Sequence, residues 1–117
     1  AIATQDPGTG LWWTVLNRPG ESYLETSAGA LFAYGMARGY RYGYLGDDVL
    51  PPIRAAMAGV RSRITVDDAG VPTVTGVSGP TSVSKFQGYA SVPQVDDVSY
   101  GVGAVLLALT ETWGLPE

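Results

Sequence analysis

The last part of the sequence contains a helical pattern that is apolar on nearly every side. Residues 100–113 read YGVGAVLLALTETW, and Glu111 is the only charged residue among them. A helix of this kind is stable when neighbours bury it from most directions. The chain has 117 residues, which is enough for one domain, and it contains only two other long helical patterns. We therefore expect this helix to be buried on most sides, and we expect three such helices to form an incomplete core.

The first long helical pattern covers residues 24–45 and is unusually rich in glycine and tyrosine. Its sequence is LETSAGALFAYGMARGYRYGYL. Ser22 or Thr26 is expected to cap it, and the charge of Glu25 suits its positive end. A stripe that includes Leu31 and Gly35 is expected to be its buried face. Each interior glycine costs about 1 kcal/mol relative to alanine, so the pattern predicts close packing against a partner helix.

The middle of the chain alternates between a second helix and extended segments. A helix is predicted over residues 51–64, with Asp47 or Asp48 as its cap and Ile53 and Met57 on its buried face. The sequence VDDAGV predicts a hairpin turn in which Gly70 takes a positive φ. A loop rich in glycine and serine, GPTSVSKFQG, follows before the last helix.

Composition excludes several kinds of function. The chain has no histidine and no cysteine, which excludes a self-contained Ser-His-Asp hydrolase, a cysteine nucleophile and a thiolate metal site. The net charge of −4 argues against nucleic acid or an anionic membrane as partner. We expect no metal and no cofactor. The lack of cysteine favours a cytoplasmic location, and a first residue other than Met suggests a processed product or a piece of a longer protein.

Three segments, in unbroken order, carry a resemblance to a known family. These segments are GLWWTVLNRPGESYLETSAGALFAYGMARGYRYGYL (10–45), VDDAGVPTVTGVSGPTSV (66–83) and VPQVDDVSYGVGAVLLALTE (92–111). Together they resemble the C-terminal portion of the unsaturated glycuronyl and rhamnogalacturonyl hydrolases, glycoside hydrolase families 88 and 105. Asp96 stands where that family usually has asparagine, and the spacing before Gly101 is one residue longer.

The resemblance implies both a fold and an activity. The fold is mainly α, with residues 1–117 as the C-terminal segment of a six-hairpin α/α toroid that also carries a short β hairpin. The activity is removal of a 4,5-unsaturated uronic acid from lyase-generated oligosaccharides by hydration of the vinyl ether. The family's catalytic aspartate, histidine and Trp-x-Arg motif lie upstream of the matched portion. No catalytic residue is therefore expected in this segment, and the chain alone is predicted to be inactive.

Residues around three turns are candidates for binding the oligosaccharide. Adjacent residues of a strand face opposite ways, so one tryptophan of Trp12 and Trp13 is expected to stack on a sugar while the other packs inward; the alternative is that both are core. The N-terminal end of the first helix suits an anion unless its polar residues simply cap it. The candidate substrate-binding residues are Trp12, Trp13, Glu25, Ser27, Ser78, Thr81 and Ser82.

Other polar residues favour structural roles. The acidic pairs at 47–48, at 67–68 and within VDD at 95–97 are typical of helix caps and turns, and without a nearby histidine they make a poor metal site. The tyrosines of the first helix are expected to pack against neighbouring hairpins.

Two alternative functions remain open: a non-catalytic carbohydrate-binding or scaffold fragment, and a different toroid enzyme. The expected partners are the oligosaccharide and either the remainder of the parent hydrolase or a second copy of the chain.

Overall fold

The computed structural model describes residues 1–117 and is mainly helical. Its four helices are α1 (Thr26–Arg41), α2 (Leu50–Ser62), α3 (Phe86–Ala90) and α4 (Ser99–Thr112). Its strands form three antiparallel pairs, namely β1 (Trp12–Trp13) with β2 (Leu24–Glu25), β3 (Ile64–Val66) with β4 (Pro72–Val74), and β5 (Val77–Ser78) with β6 (Gln94–Val95). Short 3-10 turns lie at Ile2–Thr4 and Asp47–Val49. The mainly helical class is confirmed.

Helix α1 is the centre of the fold, because it packs against α2 on one side and α4 on the other, whereas α2 and α4 touch each other little. The buried face of α1 consists mostly of small residues, among them Ala30, Ala33 and Ala37. Small side chains let the helix axes approach closely. The predicted stripe is wrong, since Leu31 is 48% exposed and Gly35 lies on the surface. Large residues also recur with a helical period in this segment, so the hydrophobic pattern does not single out the face formed by the alanines.

Glycines of α1 and α2 make room for one buried side chain, Leu11. A Cβ on Gly29 would lie 2.6 Å from Cδ2 of Leu11, and a Cβ on Gly59 would lie 2.7 Å from its Cγ. Leu11 is completely buried. The prediction of close packing is therefore correct in kind, but at these positions the close neighbour is a side chain from the turn before β1 rather than a partner helix.

Helix α1 ends earlier than predicted, at Arg41, because Gly43 takes a φ of +78°. The N–H of Gly43 donates to the carbonyl of Tyr40, and the N–H of Tyr44 donates to that of Gly39. This pair of bonds is the Schellman motif, which satisfies the free carbonyls at a helix end. Leu45 then folds back onto Gly39, where an added Cβ would lie 2.7 Å from its side chain.

The start of α2 differs from its prediction. Neither Asp47 nor Asp48 accepts a capping hydrogen bond from the first turn of α2, because both belong to a 3-10 turn that runs directly into the helix. The predicted buried residues Ile53 and Met57 are in the core. The hairpin after α2 is confirmed, with Ile64 opposite Val74 and a turn in which Gly70 has a φ of +80°.

Asp97 does not cap α4, contrary to the expectation for the acidic pair within VDD at 95–97. Its Oδ1 accepts a hydrogen bond from the N–H of Val74 at 2.8 Å, and its own N–H donates to the carbonyl of Val74 at 2.9 Å. Asp97 has a φ of +51°, a conformation that aspartate tolerates better than most residues. Its side chain thus ties the start of α4 to β4, and the helix has no side-chain cap.

Helix α4 is covered on one face only, so the expectation of burial on most sides is not met within this chain. Gly101, Ala104, Val105 and Ala108 are buried. On the outer side, large apolar residues remain exposed, with Leu106 at 58% and Leu107 at 49%. None of the helices combines the length and the apolar character that a membrane span needs.

Candidate functional site

The two adjacent tryptophans of β1 face opposite sides, as alternation along a strand requires. Trp12 is completely buried. Its ring lies edge-on to Phe32 with centroids 4.7 Å apart, and its indole N–H donates to the carbonyl of Ala1 at 2.8 Å. Trp13 is partly exposed and lines a cleft. Trp12 is therefore corrected to a core residue, because a fully buried ring offers no face to a sugar, and Trp13 stays a candidate.

The carboxylate of Glu25 is the N-cap of α1 and is only 6% exposed. It accepts hydrogen bonds from the N–H of Ala28 at 2.5 Å and from the hydroxyl of Ser27 at 2.7 and 2.9 Å. The N–H of Ser78 donates to it at 2.8 Å. The capping alternative is confirmed for Glu25, whereas Ser22 and Thr26 do not cap the helix. Binding of substrate by Glu25 and Ser27 stays a prediction.

Ser78, at the end of β5, is where the side chains around the cleft converge. Its Oγ is 2.7 Å from the hydroxyl of Tyr23, and its carbonyl accepts from the hydroxyl of Tyr100 at 2.7 Å. Tyr23 also donates to the carbonyl of Val92 at 2.9 Å. A phenol has a single proton, and that of Tyr23 is used in its bond to Val92. The hydroxyl of Ser78 is therefore the donor in its bond with Tyr23. The Ser78 oxygen therefore keeps lone pairs with which to accept a hydrogen bond from a ligand hydroxyl.

These residues line one cleft of about 330 Å³, a size at the lower end of small-molecule sites. Its walls come from the β1–β2 region, α1 and the segment after β5, and consist of Trp13, Thr14, Leu16, Glu25, Ala28, Phe32, Ser78, Thr81 and Tyr89. The structure thus brings Trp13, Glu25, Ser78 and Thr81 together. Ser27 touches the cleft only through its bond to Glu25, and the exposed Ser82 does not line it.

Sequence reasoning missed the part of the cleft that α3 provides. This helix falls partly within the segment interpreted as a glycine- and serine-rich loop, and its Tyr89 lines the cleft. The guanidinium of Arg18 lies 4.3 Å from the ring centroid of Phe86, and the hydroxyl of Ser22 donates to the carbonyl of Ala90 at 3.2 Å. The helical spacing of Phe86 and Tyr89 was the available signal, although five residues are too few for a firm pattern.

The charge of the cleft limits its chemistry. Glu25 is the only charged residue that lines it, and no lysine or arginine does. Ordinary glycoside hydrolysis needs two carboxyl groups, one on each side of the scissile bond. The cleft has only one carboxyl group, that of Glu25. A neutral, hydroxylated ring suits it better, because an aromatic surface is present together with hydroxyl groups that fix orientation.

A second cavity, of about 510 Å³, lies between α2 and residues 113–117. Arg54 and Arg61 stand at its edge, and Ile53, Met57 and Leu109 form its apolar part. It contains none of the predicted binding residues. We take the smaller cleft as the candidate site, because independent elements direct polar groups into it. No cluster of acidic side chains is suited to hold a metal ion.

Comparison with known families gives a match over nearly the whole chain. The model of Glycosyl Hydrolase Family 88 matches residues 1–115. Among curated proteins, the chain is 32% identical to Protein Atu3128 of Agrobacterium fabrum and 32% identical to a 24.9 kDa protein in the picA locus of Rhizobium radiobacter. In each case 95% of this chain aligns with 54% of the relative. The chain thus spans about half the length of these curated relatives.

The fold of the chain is also similar to solved structures of family 105 proteins. The chain is similar to a possible member of the GH105 family from Salmonella enterica, with a TM-score of 0.82 and 31% identity, covering 93% of this chain and 27% of that one. A possible GH105 member from Klebsiella pneumoniae matches with a TM-score of 0.82 and 32% identity, covering 94% and 27%. A family 105 glycoside hydrolase of C. acetobutylicum matches with a TM-score of 0.86 and 25% identity, covering 97% and 34%.

Proposed function

Because the chain belongs to Glycosyl Hydrolase Family 88, we propose that it is the C-terminal segment of an α/α toroid glycosidase that removes a 4,5-unsaturated uronic acid from lyase-generated oligosaccharides. The family match over residues 1–115 and the likeness to family 105 structures support a glycosidase parent. In the proposed reaction, an acid elsewhere in the parent protonates C4 of the vinyl ether and water adds at C5. The resulting hemiketal opens by breaking the bond between C5 and the ring oxygen, which leaves a ketone at C5 and a hemiacetal at C1. Collapse of that hemiacetal to an aldehyde breaks the glycosidic bond and releases the neighbouring sugar as an alcohol.

The part proposed for this chain is to hold the sugar that leaves, rather than the uronate itself. The observation that carries this assignment is the lining of the cleft: the exposed face of Trp13, the hydroxyls of Ser78 and Thr81, and no cation. A uronate carboxylate needs a positive partner or free N–H groups, and the only charged group here, Glu25, would repel it. The neighbouring neutral sugar meets a stacking surface and hydrogen-bond acceptors instead.

The test is turnover by the intact parent protein. Purified parent is mixed with unsaturated disaccharides made by pectin, glycosaminoglycan and ulvan lyases, and the ultraviolet absorbance of the double bond is followed. We expect the absorbance to fall with at least one of them. Trp13→Ala is expected to raise KM about tenfold, the change produced by losing roughly 1.4 kcal/mol of stacking. Trp113→Ala is the matched control, since Trp113 is a tryptophan of the same chain that does not line the cleft. No decay with any disaccharide would refute the activity.

The alternative, a carbohydrate-binding or scaffold fragment without chemistry, rests on one observation. The single carboxylate of the cleft is already bonded to three donor residues, so the chain by itself lacks a free acid at this place. Calorimetry of the 117-residue chain with the same disaccharides separates the two functions when it is combined with the parent's assay. Binding by the chain together with an inactive parent favours the alternative.

The proposed partner of this chain is the remainder of the parent. Exposed leucines on α4, Leu106 and Leu107, form an uncovered apolar surface of the kind that drives association. Chains in the matched structures are much longer, since this chain covers only 27–34% of them. The isolated chain is expected to self-associate in light scattering and to bind an apolar dye, and a monomer that binds no dye contradicts this.

We also propose a reducing, cytoplasmic location, supported by the absence of cysteine.

A further inference from the structure

We infer that Glu25 is a positioning residue, which fixes Ser78 in the cleft so that its hydroxyl can accept a hydrogen bond from the sugar. This inference rests on the proposed function and adds a role for a buried carboxylate that the reaction itself does not use. Glu25 lies in β2, whereas Ser78 lies in β5, 53 residues later. Their bond joins two parts of the chain that also meet at Thr26, whose N–H donates to the carbonyl of Gly76.

The two carboxylate oxygens of Glu25 accept hydrogen bonds from backbone N–H groups of two different segments. Oε2 accepts the N–H of Ala28, in the first turn of α1, at 2.5 Å, and Oε1 accepts the N–H of Ser78 at 2.8 Å. The carboxylate therefore bridges the helix end and the strand end. At 6% exposure, it is largely shielded from water, so its bonds to N–H groups are stronger than they would be at the surface.

Ser78 depends on this bridge for its orientation. Its N–H, hydroxyl and carbonyl are each held by a different residue, Glu25, Tyr23 and Tyr100 respectively. The two tyrosines hold the oxygens of Ser78, and Glu25 alone holds its N–H. Pairing with β6 keeps the strand in place, so we expect loss of that bond to shift Ser78 locally and to move its hydroxyl away from the sugar.

Glu25→Gln is the informative substitution because it keeps the size of the side chain. A carboxamide has one accepting oxygen and one donating NH₂ group. Each oxygen of Glu25 faces a backbone N–H, so the NH₂ group must oppose one of these two donors. Thr26→Val is the matched control. Thr26 is completely buried and its hydroxyl donates to the carbonyl of Thr75 at 2.7 Å, which links the same two parts of the chain without lining the cleft.

The experiment compares the intact parent with Glu25→Gln, Ser78→Ala, the double variant and Thr26→Val in the disaccharide assay. We expect Glu25→Gln and Ser78→Ala each to raise KM about tenfold, the effect of one lost hydrogen bond, with a smaller change in kcat. The double variant should be no worse than either single one, since both act through the same hydroxyl. Thr26→Val should lower the unfolding midpoint and leave KM unchanged.

Two results would overturn the inference: KM effects that multiply in the double variant, or a Glu25→Gln protein that behaves like Thr26→Val. Failure of the proposed function is visible separately, because it appears in the unmodified parent as absence of turnover. In that case the same variants are compared by the dissociation constant of the disaccharide in calorimetry, with the same expected pattern. A parent that neither turns over nor binds any disaccharide overturns both proposals.

Discussion

The glycines at positions 35 and 59 permit a direct test of how this fold packs. Both lie inside a helix, so replacing either with alanine should gain about 1 kcal/mol of helix propensity. At Gly35 no atom lies within 4 Å of the added Cβ, and the variant should therefore be more stable by roughly 0.5–1 kcal/mol. At Gly59 the added Cβ lies 2.3 Å from the carbonyl oxygen of Thr9 and 2.7 Å from Cγ of Leu11.

The steric term can be isolated because the propensity gain is common to both variants. Overpacking of a filled core costs about 1–3 kcal/mol, and the clash at Gly59 involves a backbone oxygen that cannot rotate away. We expect Gly59→Ala to be less stable than Gly35→Ala by that amount. Urea unfolding of the purified protein measures the difference, as a midpoint shift of roughly 1 M at an unchanged m-value. Equal midpoints for the two variants would show that Leu11 does not fill the space between α1 and α2.

Three further changes test other parts of the structure. Trp12→Ala is expected to lower the free energy of unfolding by about 3–5 kcal/mol, whereas Trp13→Ala should lower it by less than half as much; thermal unfolding that ranks them the other way contradicts the orientation of β1. Leu107→Lys should reduce dye binding and association of the isolated chain, while Thr110→Lys, also on the exposed side of α4, should change neither in light scattering. Arg41→Ala removes bonds to the carbonyls of Glu111 and Trp113 at the exposed end of α4, and should cost only about 0.5–1 kcal/mol in chemical denaturation; a much larger loss would mean that this end of the helix is essential to the core.

The sequence was sufficient to predict the three long helices and the hairpin, because each has a strong local signal. Apolar residues recur with a helical period in α2, and Gly70 marks the turn between β3 and β4. The end of α1 was misplaced by one turn. The deciding feature there is the positive φ of Gly43, and four glycines in the segment gave no means of choosing among them.

The buried face of α1 was harder to predict than its existence. Large residues such as Leu31 usually mark a core, yet here Ala30 and Ala33 are buried and Leu31 is exposed. Close helix packing selects small residues, so the hydrophobic pattern and the buried surface no longer coincide. The exposed leucines of α4 have a related origin, because the sequence specifies an apolar surface for which this chain contains no cover.

The cleft was predicted in part because two of its signals are local. Alternation along β1 required one tryptophan to face outward, and the place of Glu25 at the start of a helix made capping one of its two possible roles. The positioning role that we propose for Glu25 depends on residues distant in sequence. The bond between Glu25 and Ser78 and the approach of Tyr89 from α3 join segments far apart in sequence, and no local pattern contains that information.

We propose that this cleft receives the sugar released from an unsaturated uronic acid. The most direct measurement is a crystal structure of the intact parent, with Trp13 and Ser78 unmodified, bound to an unsaturated disaccharide that it turns over slowly at low temperature. We expect the ring next to the uronate to lie on the face of Trp13, with one of its hydroxyls donating to Oγ of Ser78. A disaccharide bound elsewhere in the parent, with both residues in contact only with protein or water, would contradict it.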